Sequence, residues 1–306
     1  MKFIKSVPMA LCGLSLALAA LGNLLLPYGA NIRYACGILS AIVFVIFALK
    51  IILDFPHAQA ELKTPIPLSV LPTSTMALML LCTYIKPFVG NVAVYVWYAA
   101  VAAHLFIMLL FFKRFLPGFK LGTVFPSWFI VFVGIVVASV TAPAMGVRPV
   151  GQAAFYLGFA LYFVGLVLVV CRMIKVKIFP EPARPTIAIF TAPMSLCVVG
   201  YFSSFPPEQR NAVLIYIMLA ITAVSYLYVT VMMFSLLRIK FYPTYAAFTF
   251  PYVISALAFR LGNGFLVQHG ITFFAPVALI SVWIAAAVVL YVLVNYIRFF
   301  WFWLKF

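Results

Sequence analysis

Acid–base and nucleophilic chemistry is sparse in this chain. Its 306 residues include only four acids, Asp54, Glu61, Glu181 and Glu208, and three histidines, His57, His104 and His269. The acids fall at the ends of apolar runs or between them, so no carboxylate is placed to relay protons across a bilayer. His104 alone sits in the middle of an apolar run, where two readings stay open: an intramembrane titratable group or a hydrogen-bonded packing residue. A catalytic centre would need a metal cluster, an acid/base pair or an activated nucleophile. The sequence has no His/Asp/Glu cluster at ligand spacing, no Asp-rich motif and no Ser–His arrangement. Glycine-rich phosphate loops are also missing, which argues against ATP-driven pumping. The five cysteines, Cys12, Cys36, Cys82, Cys171 and Cys197, are odd in number and lack metal-type spacing, so they read as small packing residues. The expectation is a protein that is not an enzyme and that uses no metal or cofactor.

Positive charge is what the chain has in excess. Twenty Lys and Arg against four acids give a formal charge of +16, yet only 8% of residues are charged and 67% are hydrophobic. A basic chain can signal a phosphate-backbone partner, but here the basic residues stand singly or in small groups between apolar runs, as topology signals do. The expected partner is therefore the lipid bilayer and not nucleic acid. A passive pathway with surplus positive charge and no buried acid favours anions. Arg260 is the sharpest single residue: at the outer end of a helix it either draws anions to a pore mouth or snorkels to the interface.

Ten apolar segments must position these groups, at 7–27, 31–53, 67–85, 90–112, 124–143, 150–171, 186–204, 211–236, 243–261 and 274–297. Most are near the roughly 20 residues needed to cross about 30 Å of hydrocarbon, and the connections are short, which predicts one all-α transmembrane domain over 1–306. Lys2 and Lys5 before the run Pro8–Leu26 have the outline of a secretory leader, but the run is long enough to span and all that follows is also membrane, so it reads as the first helix. With both termini inside, the outer ends carry Arg33, Lys86, Arg148, Arg210 and Arg260, and the other fifteen of the twenty basic residues fall inside. The aromatic run Phe299-Phe300-Trp301-Phe302-Trp303 reads as an interfacial anchor. Gly151, Gly158 and Gly165, seven residues apart, give the sixth segment one smooth face for close packing.

Prolines reveal a repeat. Pro8, Pro72, Pro126, Pro193 and Pro251 lie in the first halves of the odd-numbered segments, 54 to 67 residues apart, as in a helical hairpin repeated five times. Proline lacks an N–H and crowds the carbonyl four residues back; for Pro193 and Pro251 those carbonyls belong to Ile189 and Ala247. In lipid such groups are tolerated only when buried in protein or facing a wet cavity, which predicts that the five proline-bearing helices face a common axis and the even ones face lipid. Small and hydroxylated residues that follow these prolines (Gly13, Ser15, Thr73 to Thr75, Gly134, Ser195, Ser255) fit either pore lining or helix packing.

The stretch Ala246-Ala247-Phe248-Thr249-Phe250-Pro251 resembles the pore-gating helix of the tellurite-resistance/dicarboxylate transporter family, which includes bacterial TehA proteins and the slow anion channels of plant guard cells. Pro8 to Ser15, Leu71-Pro72-Thr73-Ser74-Thr75, Phe125-Pro126-Ser127, Arg184-Pro185-Thr186, Ala192-Pro193 and Gly200-Tyr201 extend the similarity over nearly the whole chain. The resemblance implies ten transmembrane helices as five hairpins around a quasi-five-fold central pore, assembled as a homotrimer. It implies that Phe250 corresponds to the phenylalanine that plugs the pore, and that chloride and nitrate pass. Arg260 departs from what bacterial relatives are expected to carry. The expected setting is a bacterial inner membrane, crossed several times, with both termini cytoplasmic. The alternative is a carrier or efflux protein for C4-dicarboxylates, sulfite or tellurite-related species, since other relatives are described as transporters.

Overall fold

The computed structural model describes residues 2–176 and 178–305, so Lys177, one of the inner charges counted above, lies outside the described residues. Among the described residues there is no strand, and ten helices are long and apolar enough to cross a bilayer. Numbered first to tenth, they are Leu11–Tyr28, Ala30–Leu53, Pro65–Val89, Asn91–Phe115, Trp128–Met145, Arg148–Lys175, Glu181–Ser204, Ala212–Leu236, Pro243–Gln268 and Ala275–Phe302. The chain is a multi-pass membrane protein.

Burial divides the ten into two sets. The most apolar stretches of the odd helices are 56–83% buried within the protein, those of the even helices only 28–39%. Contacts order the sets. The first helix packs on the third, the third on the fifth, the fifth on the seventh, the seventh on the ninth and the ninth back on the first, closing a ring. Each even helix lies against its own hairpin partner and the odd helix of the next hairpin, the tenth closing the circuit on the ninth and the first. The result is an inner ring of five inside an outer ring of five. Close approach within a hairpin uses the glycine stripe. A Cβ on Gly158 would stand 2.3 Å from Val136, and one on Gly151 would stand 2.6 Å from Ala142, both on the fifth helix.

The proline pattern has a local consequence that differs between the sets. All five even helices are continuous. Every odd one starts irregularly. Pro8 lies between Lys2–Ser6 and Leu11–Leu25, Pro72 at the joint between Pro65–Val70 and Pro72–Val89, and Pro126 just before Trp128–Val133. Pro193 and Pro251 follow the 3₁₀ stretches Glu181–Thr191 and Pro243–Phe248. An 11-residue 3₁₀ run is far longer than the usual three or four residues. Its i→i+3 bonding satisfies one of the carbonyls expected to be left free, because the Ala192 N–H donates to Ile189 O. The kink is thus absorbed by tightening the turn before it.

Boundaries differ where polarity and helicity part company. The ninth helix continues to Gln268 instead of ending at 261, because Arg260, Asn263 and Gln268 lower the hydropathy without breaking the helix. The tenth continues to Lys305. A short helix, Phe55–Glu61, stands where only a connection is expected. Its Ala58 is buried in a small cluster with Met9, Cys12, Phe47 and Val70, which ties the ends of the first three helices together.

Candidate functional site

The inner ring encloses an axial cavity of about 60 Å³. Every odd helix contributes to its wall: Gly13 and Leu16 from the first, Thr73 and Met76 from the third, Ile130 and Gly134 from the fifth, Ile189 and Pro193 from the seventh, Ala247, Phe250 and Pro251 from the ninth. The hydroxyls on this wall are occupied elsewhere. Thr73 donates to Val70 O at 2.7 Å and meets Cys12 Sγ at 2.7 Å, and Thr186 donates to Ala183 O at 2.6 Å. What remains is a small apolar cavity with no ionisable side chain among the described residues of its lining.

Two neighbouring phenylalanines are separated by the geometry. Phe250 belongs to the cavity wall, at the point where the 3₁₀ stretch gives way to α-helix. Phe248 is fully buried against Tyr245, ring centroids 4.7 Å apart, and is not part of that wall. Just beyond Phe250 the kink is held by hydroxyls. Thr191 donates to Pro251 O at 3.0 Å, and Ser255 lies 2.9 Å from both Thr191 Oγ1 and Ser195 Oγ. Ser195 and Ser255 therefore serve packing between the seventh and ninth helices. Ser15 does the same between the first and second, donating to Ser40 O at 3.0 Å, while Gly13, Thr73 and Gly134 do face the cavity. Of the five repeat prolines, Pro193 and Pro251 line the cavity; Pro8, Pro72 and Pro126 stand at the breaks described above and are not in its wall.

His104, on the fourth helix, is fully buried. Thr75 donates its hydroxyl to Pro72 O at 2.8 Å, so its oxygen accepts from His104 Nδ1, also at 2.8 Å. That leaves Nε2 as a bare acceptor, and it has no partner among the described residues. The ring reaches the back of the cavity wall, since a Cβ on Gly134 would stand 2.9 Å from His104 Cε1. Arg260 is half-buried, and its Nη1 donates to Leu24 O at 2.7 Å, outside the cavity wall.

Two of the four acids are used to neutralise one lysine. The buried Lys50 Nζ lies 3.0 Å from Asp54 Oδ2 and 3.1 Å from Glu61 Oε1, and His57 Nδ1 lies 2.8 Å from Asp54 Oδ1. Burial pushes the Asp54 carboxyl up, but hydrogen bonds from Lys50 and His57 outweigh it and hold it below the usual carboxylate range. Among the described residues no group of three or more His, Cys, Asp or Glu side chains is arranged to hold a metal ion.

Sequence reasoning did not single out most of the wall, because Leu16, Met76 and Ile130 are indistinguishable by type from dozens of apolar residues that face lipid. It also passed over Arg172, counted only as an inner charge, although its side chain is 1% exposed. The sequence offered only the weak signal of Phe179 seven residues on, because Phe125, whose ring also lies against the guanidinium at 5.3 Å, is 47 residues away in the chain.

No individual curated protein matches the chain. A family model does: the one described as SLAC1, voltage-dependent anion channel, matches residues 4–297. That match takes in all of the inner ring, the cavity and nine of the ten helices entire. The chain is a member of the SLAC1 family, whose function is the passage of anions through the membrane by channels and transporters.

Proposed function

We propose that the chain is an anion channel passing small monovalent anions such as chloride and nitrate along the axis of the inner ring, with Phe250 as the plug of a closed pore. One observation carries this reading: five proline-bearing helices contribute to the wall of a single small apolar cavity on their common axis, and Phe250 is part of that wall. A neutral ring there blocks by its volume and by keeping water out. Selection for anions follows from a path free of carboxylates and from the net +16 charge, with Arg260 adding positive potential on the side away from the termini. The proposal extends to a homotrimer in a bacterial inner membrane with both termini cytoplasmic, the orientation favoured by the distribution of basic residues.

Planar-bilayer recording of the purified protein, with anions exchanged one at a time, is the direct test. Reversal potentials that follow the anion gradient and ignore an imposed pH gradient support the channel. Proton-linked flux of a C4-dicarboxylate, sulfite or a tellurite-related species would support the carrier reading, which one observation favours: the unpartnered Nε2 of His104 behind the cavity wall.

A further inference from the structure

Away from the axis, two cavities between hairpins three and four meet at Met173. The first, about 230 Å³, lies where the sixth helix ends, the seventh begins and the eighth ends, and Arg172, Arg184 and Ser235 are in its wall. The second, about 530 Å³, runs along the bilayer-facing side between the sixth and eighth helices, over Tyr162, Phe190 and Val224. From Tyr162 to Ile174 it follows twelve residues of helix, or roughly 18 Å at 1.5 Å per residue, about the depth of one leaflet.

Among the described residues no acid pairs with the charge in the first cavity. Arg172 is buried, donates to Val176 O at 3.2 Å and Ile178 O at 2.9 Å, and is covered by the Phe179 ring at 4.3 Å. Its Nε has no partner, and neither it nor the exposed Arg184 forms an ion pair with an acid among the described residues. Glu181, in the same connection, accepts instead from the Tyr242 hydroxyl at 3.0 Å. A buried guanidinium without a counter-anion is costly. A cationic recess that opens into an apolar groove of leaflet depth matches one molecule that is anionic at one end and aliphatic along the rest.

We propose that this paired site binds an anionic phospholipid, its phosphate between Arg172 and Arg184 and one acyl chain in the groove between the sixth and eighth helices. The chain end would rest on Phe129, which also belongs to the wall of the axial cavity.

The test is native mass spectrometry of the full-length protein in detergent, titrated with phosphatidylglycerol, phosphatidylcholine or inorganic phosphate. Wild type is expected to retain phosphatidylglycerol in preference to phosphatidylcholine. Arg184→Gln, which alters an exposed side chain, is expected to weaken retention about fivefold, the effect of removing one surface arginine worth roughly 1 kcal/mol near anionic lipid. Val224→Trp, on the exposed floor of the groove, is expected to weaken lipid retention without affecting any binding of inorganic phosphate. The proposal is overturned if the two lipids are held equally, if inorganic phosphate displaces phosphatidylglycerol at equal concentration, or if neither variant changes retention. It is also overturned if Val224→Trp alters the oligomeric state, which would mean a second copy of the chain covers the groove.

Discussion

Thr191 donates its hydroxyl to the carbonyl of Pro251 at 3.0 Å, bridging the seventh and ninth helices at the residue directly after Phe250. The two prolines of these helices, Pro193 and Pro251, both line the axial cavity, and the bridge fixes one kink against the other. The ring of Phe250 is therefore carried on a backbone held from the neighbouring hairpin. Its position in the cavity wall does not depend on the flexibility of a lone helix.

Phe250→Ala is expected to turn a nearly silent protein into one with large anion currents and little loss of stability, because the ring faces a cavity that already exists. Phe248→Ala is the control. Its ring is fully buried against Tyr245, so truncation should cost about 3–5 kcal/mol and open nothing. Recordings from both variants, with melting temperatures on the same samples, check this. Currents from Phe248→Ala alone would shift the gate by two residues, and silence from both in folded protein would count against a channel.

The contact of Arg260 with Leu24 O joins the last hairpin to the first across a separation of 236 residues. Replacing Arg260 with Gln removes a charge-assisted hydrogen bond, typically worth about 1.5–3 kcal/mol, and should lower the melting temperature. If its charge also draws anions, conductance in the Phe250→Ala background should fall far more at 0.01 M than at 1 M salt, where the Debye length shrinks from about 30 Å to about 3 Å. An equal fall at both would leave only the structural role.

His104→Leu separates channel from carrier. The Thr75 hydroxyl keeps its bond to Pro72 O, so the variant should fold. In the Phe250→Ala background its currents and their response to pH should match those of the parent. Loss of a pH-dependent component with this substitution would make His104 a proton carrier and move the transporter reading ahead.

Asp54 predicts a pH dependence of stability. Its folded carboxyl is held below the usual range, with burial opposing and the bonds from Lys50 and His57 prevailing. A lowered folded value means the contribution is complete above the ordinary carboxylate range and is lost as pH falls through the depressed value. The melting temperature of wild type should therefore exceed that of Asp54→Asn at neutral pH, with the gap closing on acidification. A gap that is constant down to strongly acidic pH would show that the ionised form contributes nothing.

Orientation is checked with reporters. A periplasm-active reporter fused after Phe306 is expected to be silent, and one inserted in the loop at 205–210 to be active. The reverse pattern would overturn the charge-based topology.

Much of this architecture is written in one dimension. A bilayer core supplies no hydrogen bonds, so an apolar run of about 20 residues has to be a helix wherever it packs, and composition alone separates ten of them. Proline acts on its own helix through a missing N–H and a steric clash, so Pro8, Pro72, Pro126, Pro193 and Pro251 mark the irregular helices before any contact is known. Which helix touches which is not local. Only the tertiary structure decided that the ninth helix closes on the first, that Arg260 caps Leu24, and that Ser195 and Ser255 bond to each other's helices instead of facing the axis. The same holds for the cavity wall. In a chain with 32 phenylalanines, rotation about the helix axis sets whether a ring meets lipid, core or cavity, and hydropathy is blind to that rotation. Phe250 and Phe248 differ in nothing a composition can express; the 3₁₀-to-α transition between them and the packing of the ring onto Tyr245 send one to the cavity and the other into the core.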